Sequence, residues 1–297
     1  MTGSDTSRRW ILLLPAILTI VLFSILPLGI VLVYSFLTPG DFGNVKWIFS
    51  TEGWFSVLFE RDIFDDTVTI SQANLNILGR SVGLSLATTL LTLIFGLPTA
   101  WFIATRPASQ RGFWLFLITI PFWTNLLVRT IAVQEIIRSE GVLNRILMAL
   151  GLIQEPLQLM FTNFAVLLGM AYVFLPLMVL PVYAAIEKFD FTLAEASYDL
   201  YASRWYCLRR VILPLVRPGI IAGSILVFVP SLGAYITPRI MGGGKSMMLG
   251  NLIEMQFGQG RNWPLGAALA ITLTVLVMVA LIWYTRVTSD KTERSHG

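Results

Sequence analysis

Long apolar segments constrain the fold of this 297-residue chain more than any other feature of its sequence. A helix needs about 20 mostly apolar residues to cross a bilayer. Six segments meet that requirement: 10–36, 79–104, 112–134, 161–186, 216–236 and 263–285. With 56% hydrophobic and 13% charged residues, the chain is also more apolar than a soluble domain. We therefore predict an all-α, polytopic membrane protein with six transmembrane helices.

The first apolar segment could instead be a secretory signal peptide. Such peptides have an apolar core of about 7–15 residues before a small-residue cleavage site. The segment that follows Arg8 and Arg9 stays apolar as far as Tyr34, well beyond that length. We interpret it as an uncleaved first helix.

Lysine and arginine are unevenly distributed between the two sides that six helices would create. If the N-terminus is inside, the inner segments and Arg217 hold twelve basic and seven acidic residues, a net charge of +5, and the rest of the chain carries −1. Positive charge is retained on the cytoplasmic side of membrane proteins. Both termini are therefore predicted to be cytoplasmic, with tails 1–9 and 286–297 flanking a transmembrane domain over 10–285.

Residues suited to catalysis or metal binding are scarce. The single cysteine, Cys207, permits no internal disulfide, and the single histidine, His296, argues against a histidine-based site. We therefore predict no catalytic residue and no metal ligand in this chain.

The glycine-rich segment MGGGKSM, residues 241–247, partly matches the phosphate-loop pattern. That pattern requires glycine at position 239, where this chain has Arg239, and it requires contact with cytosolic nucleotide. The predicted topology places this segment outside. We interpret it as a flexible outer loop, and we expect no ATP hydrolysis by this chain.

Two of the predicted helices contain residues that are unfavourable in a transmembrane helix. In the fifth, Pro230 removes a backbone hydrogen bond and Gly233 weakens the following turn. Bilayers tolerate such breaks only where the freed groups face protein or water, so this half-helix either lines a path through the membrane or is an ordinary kinked packing helix. In the third, Arg129 is costly in lipid and is expected to face protein.

An amphipathic connection, residues 187–218, joins the fourth and fifth predicted helices. Thr192–Glu195 fits a capping box at the start of one short helix, and a second helix can begin at Ser203. Pro214 and Pro218 are expected to redirect the chain into the fifth helix. The two short helices could rest on anionic headgroups or dock a soluble partner.

This connection carries a family resemblance. Glu195-Ala196-Ser197, followed by Ile212-Leu213-Pro214 and Pro218-Gly219, resembles the EAA loop of binding-protein-dependent ABC importer permeases. PFWTNLLVRT, EGVLN, LPLMVLPVYAAIEKFD and PSLGAYITPRIMGGGKSMMLGNLIEMQF, in this order, further resemble the polyamine (spermidine/putrescine) permeases over roughly 75–285. Ser197 departs from the family's usual alanine and Tyr201 from its usual glycine. A left-handed turn would cost tyrosine on the order of 1 kcal/mol.

The resemblance implies the type I ABC importer permease fold, with a coupling helix at roughly 198–208 that docks on a cytoplasmic ATPase. It implies an assembly in the bacterial inner membrane with a second related permease, two ATPase subunits, an extracytoplasmic substrate-binding protein and membrane lipid, without nucleic acid. ATP and Mg would be bound by the ATPase, so no cofactor is expected on this chain. The implied coupling residues are Glu195, Ala196, Ser197, Leu200, Tyr201, Ser203 and Trp205.

The implied substrate is a polyamine or a similar small cation. The path of such a cation needs carboxylates and aromatic faces. Residue type and position suggest Trp123, Asn125, Glu135, Tyr172, Tyr235 and Glu254, although no spacing singles them out. Related permeases carry opines, ferric iron or thiamine, so these substrates stay open.

Two other function classes are disfavoured by the content of the predicted helices. A stand-alone secondary transporter or channel usually has ionisable residues in the middle of its helices, and these helices have almost none there. An intramembrane enzyme would need histidine, cysteine or carboxylate clusters inside the helices, which are absent from this sequence.

Overall fold

The computed structural model describes residues 13–40, 43–61 and 67–293, with side chains described as far as Ile282. The predicted tail 1–9 and residues 294–297 lie outside this range. The helices are α1 (Leu13–Tyr34), α2 (Glu52–Leu58), α3 (Gln72–Ala104), α4 (Ala108–Trp123), α5 (Leu126–Ile137), α6 (Val142–Ala149), α7 (Asn163–Glu187), α8 (Thr192–Asp199), α9 (Arg204–Leu232), α10 (Ile236–Gly242), α11 (Leu249–Phe257) and α12 (Trp263–Glu293). The strands are β1 (Leu37–Pro39), β2 (Val45–Phe49), β3 (Phe59–Arg61) and β4 (Val68–Ile70).

Five of these helices are long and apolar enough to cross a membrane: α1, α3, α7, α9 and α12. The pair Ala108–Trp123 and Leu126–Ala149 also passes this test when taken together, which gives up to six spans. The prediction of an all-α polytopic membrane protein is confirmed. Residues 286–293, predicted as part of the C-terminal tail, continue α12.

The predicted third helix, 112–134, is wrong as one continuous helix. The chain leaves helical geometry at Thr124 and Asn125, and the segments on either side are bent by 98°. The side chain of Asn125 accepts a hydrogen bond of 2.8 Å from the Leu127 amide and so caps a new helix. The apolar composition continues across this bend, which is why hydropathy alone joined the two helices.

The fifth span also differs from its predicted bounds, 216–236. It begins at Arg204 and runs to Leu232, so Pro214 and Pro218 do not redirect the chain as expected. A π-helical turn, Leu208–Ile212, lies immediately before the prolines, and the Leu213 amide bonds to the Leu208 carbonyl. This wider turn keeps the helix continuous where proline lacks a donor. The helix continues through Pro230 and stops before Gly233.

One compact unit comprises the described residues up to Leu75 together with those from Leu252 onward. In this unit α1 and α2 both pack against α12. The antiparallel hairpin β1–β2 pairs Leu37 with Phe49 and Pro39 with Val45. A second antiparallel hairpin pairs β3 with β4.

The second compact unit, Asn76–Asn251, is built around the packing of α7 against α9. A side chain on Gly219 would collide with Ala185 and with the Pro181 carbonyl, and one on Gly223 would meet Met178. Lipid offers no hydrophobic drive for helices to associate, so close backbone approach at small residues supplies van der Waals contact instead. These glycines therefore permit the tight packing of the two helices.

Two clusters of buried apolar side chains form the core of this unit. One joins α3, α7 and α9 with the 187–218 connection. The other joins α5, α7, α10 and the segment that contains Met248. The connection thus belongs to the packed core of the second unit, which positions the candidate site described next.

Candidate functional site: the 187–218 loop and the broken helices

The base of the 187–218 loop is buried. Ala194 from α8, together with Cys207 and Ile212 from the start of α9, packs into the first apolar cluster. Phe191 lies beside Trp101 of α3, with ring centroids 5.8 Å apart. The thiol of Cys207 bonds to the Tyr198 hydroxyl and raises the pKa of Tyr198. The loop is therefore anchored to the ends of the spanning helices.

The capping box predicted at Thr192–Glu195 is wrong. Thr192 lies inside the first turn of α8, and its amide donates to Asp190 Oδ1 over 3.0 Å. Hydrogen bonds from the Thr192 side chain and amide lower the pKa of Asp190. Because Asp190 takes this amide, Glu195 is left exposed, and it makes no side-chain hydrogen bond within the described part of the chain.

The turn after α8 is left-handed at Tyr201, with φ of 60°. The Ala202 amide bonds to the Ser197 carbonyl at 3.0 Å, and the Tyr201 amide bonds to the Tyr198 carbonyl at 2.9 Å. This pair of bonds is the Schellman motif, which usually has glycine at the left-handed position. The turn therefore keeps the geometry that suits glycine, although the residue is tyrosine.

The next helix, α9, starts at Ser203 as predicted, and Ser203 Oγ accepts from the Tyr206 amide at 3.2 Å. It is not the separate short helix that was expected, because it continues to Leu232. The implied coupling helix over 198–208 is consequently not one helix, because the Tyr201 turn divides it. Ser197 turns its hydroxyl back to the Ala194 carbonyl at 2.7 Å, and Ala196 is exposed.

The tip of the loop exposes large apolar side chains. Leu200 is 82% exposed and Tyr201 98% exposed. Trp205 and Tyr206, just beyond the turn, are also mostly exposed. A soluble partner could bury these side chains, whereas the base of the loop is already covered.

A polar contact ties the root of this loop to the connection between α3 and α4. Glu187, the last residue of α7, accepts a hydrogen bond from the Tyr183 hydroxyl at 2.7 Å and lies 3.7 Å from Arg111. Arg111 also donates to the Arg106 carbonyl at 2.8 Å. A displacement of Glu187 at the start of the 187–218 loop would therefore also displace Arg111 and the connection between α3 and α4.

The second feature of interest is the contact between two interrupted helices. Thr130 on α5 and Thr237 on α10 are buried, and their hydroxyls are 3.3 Å apart. α5 begins after the bend at Asn125, and α10 begins after the interruption at Gly233. The interruptions at the start of α5 and α10 thus lie close together in the fold. The sequence signal for this pairing was weak, because each threonine by itself looks like an ordinary helix residue.

Arg129 is buried beside this contact, as expected from its cost in lipid. Its Nη1 lies 3.4 Å from the Val173 carbonyl of α7, and its guanidinium lies 5.6 Å from the centroid of the Phe122 ring. The arginine therefore connects the bent segment to α7 next to Tyr172.

The predicted substrate-path residues occupy different settings. Trp123 is largely exposed at the bend, and Tyr172 is exposed on α7. The carbonyl of Tyr235 accepts a 2.7 Å hydrogen bond from the buried Asn251, while the Tyr235 ring is exposed. Glu135 forms an ion pair of 2.9 Å with Arg138.

The two remaining candidates are Asn125 and Glu254. Asn125 acts as the helix cap of α5. Glu254 is half-buried on α11, in the other compact unit. Neither the bend nor the Asn251 bond was predicted, although the Thr124-Asn125 sequence carries a recognisable capping signal.

The glycine-rich segment 241–247 is a packed turn, not the flexible loop predicted for it. Gly243 and Gly244 both have positive φ, and a side chain on Gly243 would collide with the Phe161 ring. Met241 and Ser246 are buried, and Arg80 donates to the Lys245 carbonyl at 2.7 Å. These glycines allow the turn to close against its neighbours.

Among the residues that the structure describes, no group of three or more His, Cys, Asp or Glu could hold a metal ion.

Residues 77–292 match the protein family described as the binding-protein-dependent transport system inner membrane component. This chain belongs to that family. It is accordingly a multi-pass inner-membrane permease subunit of an importer, and the predicted resemblance is confirmed.

Two curated relatives from Escherichia coli K12 cover most of this chain. The spermidine/putrescine transport system permease protein PotB is 40% identical over 267 residues, which are 90% of this chain and 93% of PotB. The related permease PotC is 28% identical over 272 residues, which are 92% of each protein.

Among solved structures, a bacterial ABC transporter that imports alginate has a chain of the same fold. Its TM-score is 0.71 at 18% identity, over 97% of this chain and 98% of that chain. A bacterial alginate ABC transporter in complex with an alginate pentasaccharide-bound periplasmic protein gives a TM-score of 0.70 at 18% identity, over 97% of each chain. The ABC importer permease fold is thereby confirmed.

Proposed function

We propose that this permease forms half of the translocation path of an ATP-driven polyamine importer and that its 187–218 loop docks on a cytoplasmic ATPase. The observation that carries this proposal is the contrast within the loop between a buried base and an exposed apolar tip. A loop anchored in this way can transmit force, because its base moves with α7 and α9.

Docking would be carried by the tip and by the exposed carboxylate of α8. Leu200, Tyr201 and Trp205 would enter a groove on the ATPase, and Glu195 would meet a basic or amide group at its rim. Ala196 and Ser197 are small residues and would let the ATPase surface approach α8 closely, and Ser203 caps the start of α9. Buried aromatic anchors usually dominate such contacts.

ATP hydrolysis is assigned to two ATPase subunits that bind ATP and Mg, and no cofactor is assigned to this chain. PotB and PotC are both named as permease proteins of the spermidine/putrescine transport system, which supports a heterodimer of this chain with a second, related permease. The alginate transporter's complex with a periplasmic protein supports an extracytoplasmic binding protein as the substrate donor. Both ATP and the loaded binding protein must favour the outward-facing state for uptake to follow.

The cytoplasmic side is assigned to the tails 1–9 and 286–297 and to the 187–218 loop. The support is the net charge of +5 on these segments and on the connection 105–111. With this orientation, the loop tip faces the compartment that contains ATP.

The substrate is assigned as a small polyamine, on the basis of the 40% identity to a spermidine/putrescine permease. Exposed aromatic faces at Trp123, Tyr172 and Tyr235 can make cation–π contacts with an ammonium group. Glu254 and Glu135 can each supply a carboxylate, and Asn125 can offer an amide at the bend.

Reconstitution tests this proposal directly. The permease would be assembled in liposomes with its second permease, ATPase and binding protein, and uptake of radiolabelled spermidine would be measured with ATP and with a non-hydrolysable analogue. We expect uptake only with hydrolysable ATP and loaded binding protein. Uptake by this chain alone, without ATP, would contradict the proposal and favour a stand-alone transporter.

A further inference from the structure

The first compact unit exposes a strand of large apolar residues outside its spanning helices. Trp47, Ile48 and Phe49 of β2 are 78%, 61% and 75% exposed. Single exposed apolar side chains are ordinary on proteins, but a contiguous group marks a surface that meets protein or membrane. We refer to these three residues as the β2 patch.

The β2 patch is located where two spanning helices end. α1 ends at Tyr34, and β1 begins three residues later at Leu37. Trp47 lines a cavity of about 360 Å³ together with Tyr34 and Trp263, and Trp263 is the first residue of α12. The Tyr34 and Trp263 rings are themselves 6.2 Å apart between centroids. Trp47 thus lines the same cavity as Tyr34, the last residue of α1, and Trp263, the first residue of α12.

Buried contacts hold α2, the helix that follows the hairpin, and a ring contact holds β2 itself. Trp54 Nε1 donates to the buried Ser35 Oγ at 3.1 Å. The backbone at Gly53 approaches the Ser35 and Pro264 carbonyls so closely that a side chain there would be crowded at 3.2 and 3.0 Å. Within the hairpin region, the Phe36 ring stacks on the ring of Phe49, with centroids 5.9 Å apart.

The β2 patch contains an irregularity of the hairpin. The register shifts between Leu37, which pairs with Phe49, and Thr38, which pairs with Lys46, so Trp47 and Ile48 bulge from β2 without a paired residue on β1. All three side chains of the patch stay largely exposed around this bulge. A surrounding apolar medium can cover all three at once.

We propose that the β2 patch inserts into the interfacial layer of the bilayer, at the boundary of headgroups and acyl chains, and anchors this end of α1 and α12. Tryptophan and tyrosine concentrate at this depth in membrane proteins, and anchors of this kind insert by about 5–10 Å. The layer retains enough water for the open edge of a two-stranded hairpin. The inference does not depend on which solute is transported.

Lipid-borne quenchers test this insertion. A cysteine would replace Trp47 or Ile48 in separate variants, to be labelled with an environment-sensitive fluorophore in the assembled importer in liposomes of brominated phosphatidylcholine. Cys207 is the chain's single cysteine and is fully buried, so the unsubstituted chain measures background labelling. Phe23→Cys on the exposed surface of α1 is the lipid-facing control, and Glu60→Cys on the second hairpin is the water-facing control.

We expect labels at positions 47 and 48 to be quenched by brominated lipid at least about twofold more than the label at position 60, with quenching deepest for bromines near the headgroup. Quenching by aqueous iodide with no effect of brominated lipid would overturn the proposal. Protection that develops only when the loaded binding protein is added would also overturn it, in favour of a protein-docking surface. Quenching at position 47 but not at 48 would overturn the immersion of the whole β2 patch.

Discussion

The backbone amide of Ala202 donates to the carbonyl oxygen of Ser197 over 3.0 Å, and this bond closes α8 around a left-handed Tyr201. Tyr201, which stands where the family usually has glycine, does not alter the geometry of this turn. The strain of a tyrosine in this conformation is instead tolerated at the most exposed position of the loop, where its ring meets no steric conflict.

Replacement of Tyr201 by glycine should stabilise the turn while removing the exposed ring. Relief of the left-handed strain is worth about 1 kcal/mol, so amide exchange over 192–202 should slow by about fivefold. Tyr201→Ala is the matched control, because it removes the ring and keeps the strain. If both variants weaken ATPase copurification equally, the ring contributes to docking. Faster exchange in Tyr201→Gly than in the parent would contradict the strain argument.

Replacement of Glu195 by lysine should uncouple ATP hydrolysis from uptake or weaken ATPase association. Glu195 is exposed on α8 and is not used as a helix cap, so the change should leave the loop folded. Asp199→Lys, on the same helix and equally exposed, controls for the general effect of charge. The ratio of solute transported to ATP hydrolysed is the deciding measurement. An unchanged ratio and unchanged copurification would remove Glu195 from the docking surface.

Replacement of Gly219 by alanine should destabilise the packing of α7 against α9. A methyl group there collides with Ala185 and the Pro181 carbonyl, and overpacking of this kind costs about 1–3 kcal/mol. Gly79→Ala is the matched control, because a side chain at that position of α3 meets nothing within 4 Å. The thermal midpoint of the purified assembly should fall for Gly219→Ala and stay level or rise for Gly79→Ala. Equal thermal midpoints for the two variants would contradict the prediction, because they would show that α7 and α9 accommodate the methyl group without loss of stability.

Replacement of Glu254 by glutamine should raise the transport KM for a polyamine more than it disturbs assembly. Loss of one carboxylate near a cation should raise the KM by about fivefold, equivalent to roughly 1 kcal/mol. Glu135→Gln, at the other predicted carboxylate of the path, is the comparison variant, and it also removes one partner of the ion pair with Arg138. Parent-like kinetics for the Glu254 variant would remove this residue from the substrate path.

The parts of the fold that local sequence controls were predicted well. The helix after the Tyr201 turn, for example, starts at Ser203, where it was expected to start. Two local predictions failed because backbone groups take other partners than the expected ones. Asp190 accepts the Thr192 amide that the capping box assigns to Glu195, and the π turn before Pro214 lets the helix continue.

By itself, the sequence determined the approximate place of the apolar spans and the membrane class, because span length and partition into lipid depend on local composition. The resemblance of its motifs indicated the family. Tertiary structure decided that 112–134 bends by 98° and that the glycine-rich turn is packed. It also decided that the interruptions before α5 and α10 meet at Thr130 and Thr237. These features depend on contacts between residues far apart in the chain, which local composition does not encode.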